Sequence, residues 1–278
     1  MKYYLPLYYT YISRLKRFPM LISWIMIAVI PLWFFALNSS EAPPLSVSVT
    51  FIIALLTFYY AYEIGYLEND IKTTTKEKTP TFRLTDAETN LLRTNINSIV
   101  RNRYLILLSL LISLYYLADE MLPNAHVFPY ITGVTVTILV FAVHNNLRNK
   151  INIVTFFALS SLKYTVPVIP FMNSGAFLES TVLLILAFPL IRTIEHISRK
   201  RYGIIRNEYI LKNRHLFRVI YYLTITALFL SFGWIENIGE TPDTDSRIYY
   251  IYVYFLLYRT TVIAINLGLP KLNHRSDR

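Results

Sequence analysis

What most constrains this chain is a train of apolar runs, each close to the length that crosses a bilayer, joined by short polar connections. Eight can be drawn, over residues 20–37, 45–66, 104–118, 128–143, 151–171, 176–194, 217–234 and 248–267. A helix needs about 20 mostly apolar residues to span the hydrocarbon. The third and fourth runs are shorter than that, and the fifth is interrupted by Pro167 and Pro170. Charged residues make up only 16% of the chain and hydrophobic ones 54%, where soluble domains carry roughly a quarter charged residues. No repeat of solenoid period, low-complexity tract or soluble domain interrupts the pattern. The expectation is an all-α, polytopic membrane helix bundle, one integral-membrane domain over residues 1–278.

The connections alternate in charge. After the first, third, fifth and seventh runs stand NSSEAPPLS, DEMLPNAH, PFMNSG and ENIGETPDTDSR, with many acids and a single base, Arg247. The opposite side collects Arg14, Lys16 and Arg17, then Lys72, Lys76, Lys78, Arg83, Arg93, Arg101 and Arg103. Arg148 and Lys150, a dense basic group over residues 192–218, and Lys271, Arg275 and Arg278 follow on that same side. Lys and Arg favour cytoplasmic loops, so eight crossings with both termini in the cytoplasm, in an inner or plasma membrane, satisfy every connection. The net charge of +10 therefore reports topology and gives no ground for a nucleic-acid partner. The chain has no cysteine, which excludes disulfides, thiolate metal sites and a cysteine nucleophile. Residues 1–19 lack the compact apolar core and small-residue end of a cleaved signal peptide. Their aromatic and basic spacing predicts an amphipathic helix at the membrane surface.

Three long connections then face the cytoplasm, over residues 67–103, 144–151 and 192–216, and they hold most of the chemically interesting side chains. In the first, NDIKTTTKEKTPTFRL, helical spacing puts Asn69, Thr73 and Glu77 on one face with Asp70 at its edge. Such a face offers oxygen ligands to a hard divalent cation, with Lys78 and Arg83 behind it for phosphate. This stretch resembles the first acidic motif of the UbiA superfamily of intramembrane prenyltransferases, Asn-Asp-x-x-Asp-x-x-x-Asp followed by a basic tail. Asn69 and Asp70 match that motif, while Thr73 and Glu77 stand at its second and third acids. The segment VHNNLRNKINIVTFFALSSLKY resembles the family's stretch carrying a diphosphate-gripping basic pair, matched by Arg148 and Lys150, with Asn145 nearby. In RTIEHISRKRYGIIRNEYI, Glu195 and Gly203 fit the second acidic motif, and Arg199 stands where the family has an acid. The resemblance runs over about residues 12–210.

The resemblance implies a cavity open to lipid, ringed by helices, in which magnesium holds a prenyl diphosphate and an acceptor attacks the allylic cation. One branch of the family instead transfers phosphoribosyl to a polyprenyl phosphate. On this basis Asn69, Asp70, Glu77 and Glu195 are the expected catalytic residues, with Asp70, Glu77 and Glu195 as metal ligands. Lys78, Arg83, Asn145, Arg148, Lys150, Lys163, Arg199 and Arg201 are the expected substrate-binding residues. The exchange of family acids for Thr73 and Arg199 predicts fewer magnesium ions, as few as one, with basic side chains compensating. The expected partner is a polyprenyl mono- or diphosphate in the membrane. Two other classes stand beside the transferase: a catalytically inactive family member, and a flippase of lipid-linked sugars, against which the missing repeat weighs. Charged residues inside the runs are costly in lipid. Glu63 and Lys163 are expected to border the cavity, with Arg259 pairing to either, or to form structural ion pairs.

Overall fold

The computed structural model describes residues 2–74, 82–122, 124–147, 151–198, 210, 212–236 and 250–268. Every element among them is helical. The chain falls into two compact units, Met1–Ile185 and Leu186–Arg278.

The first unit opens with a short 3-10 turn and α1 (Tyr8–Arg14). A long helical passage follows, made of α2 (Phe18–Trp24), a π-helical turn over Ile25–Val29 and α3 (Ile30–Ser39). The turn has a local cause. Pro31 has no N–H to give to the carbonyl four residues back, and its ring crowds that carbonyl. The freed oxygen of Ile27 accepts a hydrogen bond from the Tyr164 hydroxyl instead.

α4 (Pro44–Glu68) is the element around which the unit is arranged; α1, α3, α5 and α6 all pack on it. Proline opens it at a position where the N–H would be unsatisfied anyway. It is apolar on every side, as a helix surrounded by other helices must be, and Phe51, Phe58, Tyr59 and Tyr60 are fully buried. Asn69–Thr73 extends it by one π-helical turn.

α5 (Asp86–Met121) begins with a capping box. The Thr85 hydroxyl accepts from the Glu88 N–H, while the Glu88 carboxylate accepts from the Thr85 N–H. Residues 86–103 are therefore helix, not part of an extended cytoplasmic connection over 67–103. At 36 residues this helix is about 54 Å long, well beyond the roughly 30 Å of hydrocarbon. Its polar first half thus outruns an apolar second half. On that second half Leu105, Leu108, Ile112 and Tyr116 are exposed. They recur every three or four residues, an apolar stripe suited to lipid.

α6 (Val127–Asn146) and α7 (Asn152–Thr165) complete the pattern. α7 passes into a 3-10 turn over Val166–Phe171 that contains Pro167 and Pro170, the prolines that break the fifth run. α6 approaches α4 very closely at Gly65, where a Cβ would collide with the Phe141 ring. α8 (Phe177–Ala187) carries the chain across the boundary between the units.

The second unit holds α9 (Pro189–Ile197), α10 (Arg214–Glu236) and α11 (Tyr250–Gly268). The α10–α11 pair is antiparallel. Tyr222 stacks on Phe255 at 5.1 Å, and Phe229 meets Tyr252 at 4.9 Å, so the numbers rise along one helix as they fall along the other.

Five helical passages are long and apolar enough to cross a membrane: Phe18–Ser39, Pro44–Thr73, Asp86–Met121, Val127–Asn146 and Asn152–Phe171. A sixth joins them if the broken pair α8–α9 is one span. The chain thus has the makings of a multi-pass membrane protein, with five or six such passages among the described residues where eight were expected. The seventh and eighth runs are helical as α10 and α11. They are also rich in tyrosine (Tyr221, Tyr222, Tyr250, Tyr252, Tyr254 and Tyr258), whose hydroxyl lowers hydropathy.

Candidate functional site

On α4 and its π-helical extension, Tyr59, Tyr62, Tyr66 and Asp70 recur at intervals of three, four and four, and so share one face. α1 lies against that face. The Tyr9 hydroxyl donates to Asp70 Oδ2 at 2.8 Å. Arg14 grips the same carboxylate with both terminal nitrogens, at 2.7 and 3.1 Å. Arg83 adds a third cationic contact, to Oδ1 at 2.8 Å, and the Asn69 amide leans on Oδ1 at 3.4 Å. Both oxygens of a side chain only 4% exposed are thus taken by strong donors. Burial and the Asp70 charge push the Tyr9 phenol well above its usual range. Burial weakens the charge on Arg14, but the hydrogen bonds to Asp70 outweigh it and hold the guanidinium more firmly protonated than usual.

The Arg14 guanidinium also lies 3.7 Å above the Tyr66 ring. Tyr66 meets Tyr62 edge-on at 4.9 Å, and Tyr62 meets Phe141 at 4.6 Å. Further down the face, the Lys163 ammonium stands 5.2 Å from the Tyr59 ring and 5.4 Å from the Tyr62 ring. Trp24 donates to the Tyr59 hydroxyl at 2.8 Å. The result is a ladder of rings between a half-buried lysine inside an apolar helix and an Asp–Arg cluster at the helix end. Arg14 and Arg83 bind Asp70 at one end of it, and Lys163 stands at the other.

A second polar knot fastens the N-terminal segment beside this ladder. Glu63 and Arg103, both without exposed side-chain surface, pair at 3.0 Å. Glu63 accepts from the Thr10 N–H at 2.5 Å, and Arg103 donates to the Tyr3 carbonyl at 2.8 Å. An ion pair in so dry a place stands only when its remaining hydrogen-bonding positions are filled, and here the chain before α2 fills them. α1 is therefore docked into the unit, where an amphipathic helix on the membrane surface was expected.

In the second unit, Glu195 of α9 is held in the same manner as Asp70. Arg218 binds it with Nε at 2.5 Å and a terminal nitrogen at 2.9 Å, and Arg192 joins at 3.0 Å.

The structure therefore groups Asn69, Asp70 and Arg83 in one cluster and carries Lys163 to the foot of its ladder. Thr73, read as facing a cation, turns back instead to donate to the Asn69 side chain at 3.0 Å. Asn145 donates to the Gly65 carbonyl at 3.1 Å and so ties α6 to α4. Glu63 pairs with Arg103, a structural ion pair within the first unit. Glu77, Lys78, Arg148, Lys150, Arg199 and Arg201 lie outside the described residues. Sequence reasoning missed Tyr9, Arg14, Tyr62 and Tyr66 around Asp70, and Arg192 and Arg218 around Glu195. The spacing of the α4 tyrosines was a usable signal for two of them.

Magnesium is held by carboxylate oxygens that keep lone pairs free for it. Asp70 and Glu195 each have both oxygens bound to arginine, so neither fits a metal as it stands. Among the described residues no three His, Asp or Glu side chains come together as metal ligands would. Compared with family models, curated proteins and solved structures, the chain finds no match in any of the three.

Proposed function

We propose that this chain is a UbiA-like membrane transferase with eight crossings and both termini in the cytoplasm. It takes a polyprenyl lipid by its phosphate or diphosphate and moves a prenyl or phosphoribosyl group at the cytoplasmic face. The observation that supports this is the ladder of rings from Lys163 to Asp70, with Lys163 at one end of the ring-lined face and Arg14 and Arg83 at the other. A phosphate-bearing lipid needs fixed cations where water is scarce, and Lys163 supplies one within an apolar helix. The faces of Tyr59, Tyr62 and Tyr66 suit a cation, whether the lysine or charge developing on an allylic carbon. Asp70 orients Arg14 and Arg83, leaving their outer donors for phosphate oxygens. In this reading side-chain cations, not magnesium, hold the phosphate in the first unit.

One observation favours a second reading, a family member that binds lipid without catalysis: the saturated Asp70 carboxylate has no oxygen left to act as ligand or base. The test uses full-length protein in nanodiscs, with radiolabelled polyprenyl phosphate and phosphoribosyl diphosphate. Transfer by the wild type, with binding weakened about tenfold or more in Lys163→Met through loss of a charge-assisted contact, supports the transferase. Binding without transfer supports the second reading, and absence of binding removes both.

A further inference from the structure

Among its described residues the second unit buries one carboxylate, Glu195, which Arg192 and Arg218 already hold, and one further arginine, Arg259. Arg259 of α11 is 4% exposed, and its Nε has no hydrogen-bond partner. The contacts it makes are with a ring and with electrostatic neighbours: the guanidinium lies 5.0 Å over Tyr258, with Arg218, Tyr222 and Glu195 also bearing on its charge. The antiparallel register explains why it lies near another arginine. Tyr222 of α10 stacks on Phe255 of α11. One turn before Tyr222 is Arg218, and one turn after Phe255 is Arg259, so both point to the same end of the pair. Glu195 cannot neutralise both, because its two oxygens are already bonded to Arg218 and Arg192. His215, exposed and one turn before Arg218, lies within electrostatic reach of Arg218, Arg259 and Glu195.

A guanidinium buried in a helix pair without a counter-charge is costly. It persists where something supplies that charge. Forked donors on two neighbouring arginines match the oxygens of a tetrahedral anion. We infer that Arg259 and Arg218, backed by Arg192 and with His215 in electrostatic reach, form an anion site of this second unit that takes a phosphate group, either free phosphate or a lipid headgroup. It is independent of the ladder in the first unit and requires no catalysis.

The test uses the full chain in phosphatidylcholine nanodiscs, as wild type and in a Lys163→Met background that removes the key cation of the first unit. Inorganic phosphate is titrated against chloride at matched ionic strength, and in a second arm phosphatidic acid is added to the disc. Binding and thermal unfolding are both followed by calorimetry. In both backgrounds one of the two phosphate sources should raise the unfolding temperature saturably. Arg259→Met should weaken that response about tenfold or more, with Arg259→Lys falling between. Without phosphate, Arg259→Met should unfold no earlier than its parent, since it removes an unbalanced charge. A response to inorganic phosphate identifies a free anion as the ligand, and a response confined to phosphatidic acid identifies a headgroup. Equal responses with and without Arg259, or no response to either source, would overturn the inference.

Discussion

Replacing Asp70 by Asn is the sharpest probe of the first unit, because it keeps the shape and removes the charge. Arg14 and Arg83 then lose their common anion. Removing one partner of a buried ion pair costs about 3–5 kcal/mol, whereas an exposed pair is worth below about 1 kcal/mol. The Asp70 side chain is 4% exposed, but Arg14 is 17% and Arg83 35% exposed. Water therefore takes up part of the loss, and Arg14 carries most of what remains. A destabilisation of about 2–4 kcal/mol follows from these two limits. For a chain of 278 residues it corresponds to a fall of about 3–7 °C in Tm. Thermal unfolding in detergent micelles would read it. The double variant Asp70→Asn/Arg14→Met should be less destabilised than the sum of its singles, by a coupling of about 1 kcal/mol or more. A Tm unchanged by Asp70→Asn would show that the carboxylate is not a structural partner of the arginines, and the account of the cluster would fail.

Four further outcomes follow from the same structure. Glu63→Gln leaves Arg103 buried and unbalanced, so it should cost about 3–5 kcal/mol, and Glu63→Gln/Arg103→Met should recover much of that in the same unfolding assay. Gly65→Ala places a methyl against Phe141 and should cost about 1–3 kcal/mol by overpacking, with Phe141→Leu partly restoring Tm. Tyr164→Phe strands the Ile27 carbonyl beside Pro31 and should lower stability by about 1–3 kcal/mol. The Tyr9 phenol is shifted upward in the fold, so its contribution is complete below the unfolded value of about 10 and is lost as pH rises beyond it. Tyr9→Phe should accordingly flatten the fall of Tm in alkaline buffer.

The helices were legible in the sequence because length and apolarity alone decide them. The break in the fifth run was legible because proline cannot continue a helix. What sits around Asp70 was not, since Arg14 lies 56 residues away and nothing local to either residue announces the other. Reading Asn69, Thr73 and Glu77 as one ligand face assumed a regular α-helix. The structure keeps Asn69 and Thr73 side by side, but their side chains bond to each other, which the spacing alone did not announce. The long connection after α4 was misjudged from its polarity, although Thr85 and Glu88 have the spacing of a capping box and so announce a helix start. Arg103 was counted as a topological anchor; the carboxylate of Glu63 inside an apolar run was the sign that a buried cation had to be near. The same logic makes Arg259 informative, because it is buried and its Nε finds no hydrogen-bond partner among the described residues.

If fixed side-chain cations, not a divalent metal, hold the lipid phosphate in the first unit, binding there must be independent of magnesium. Equilibrium binding of polyprenyl monophosphate to the wild type in nanodiscs, measured in EDTA and again with excess magnesium, tests it most directly. The account predicts the same Kd under both conditions and a marked weakening in Lys163→Met. Binding that appears only when magnesium is added, and is indifferent to Lys163, would contradict it.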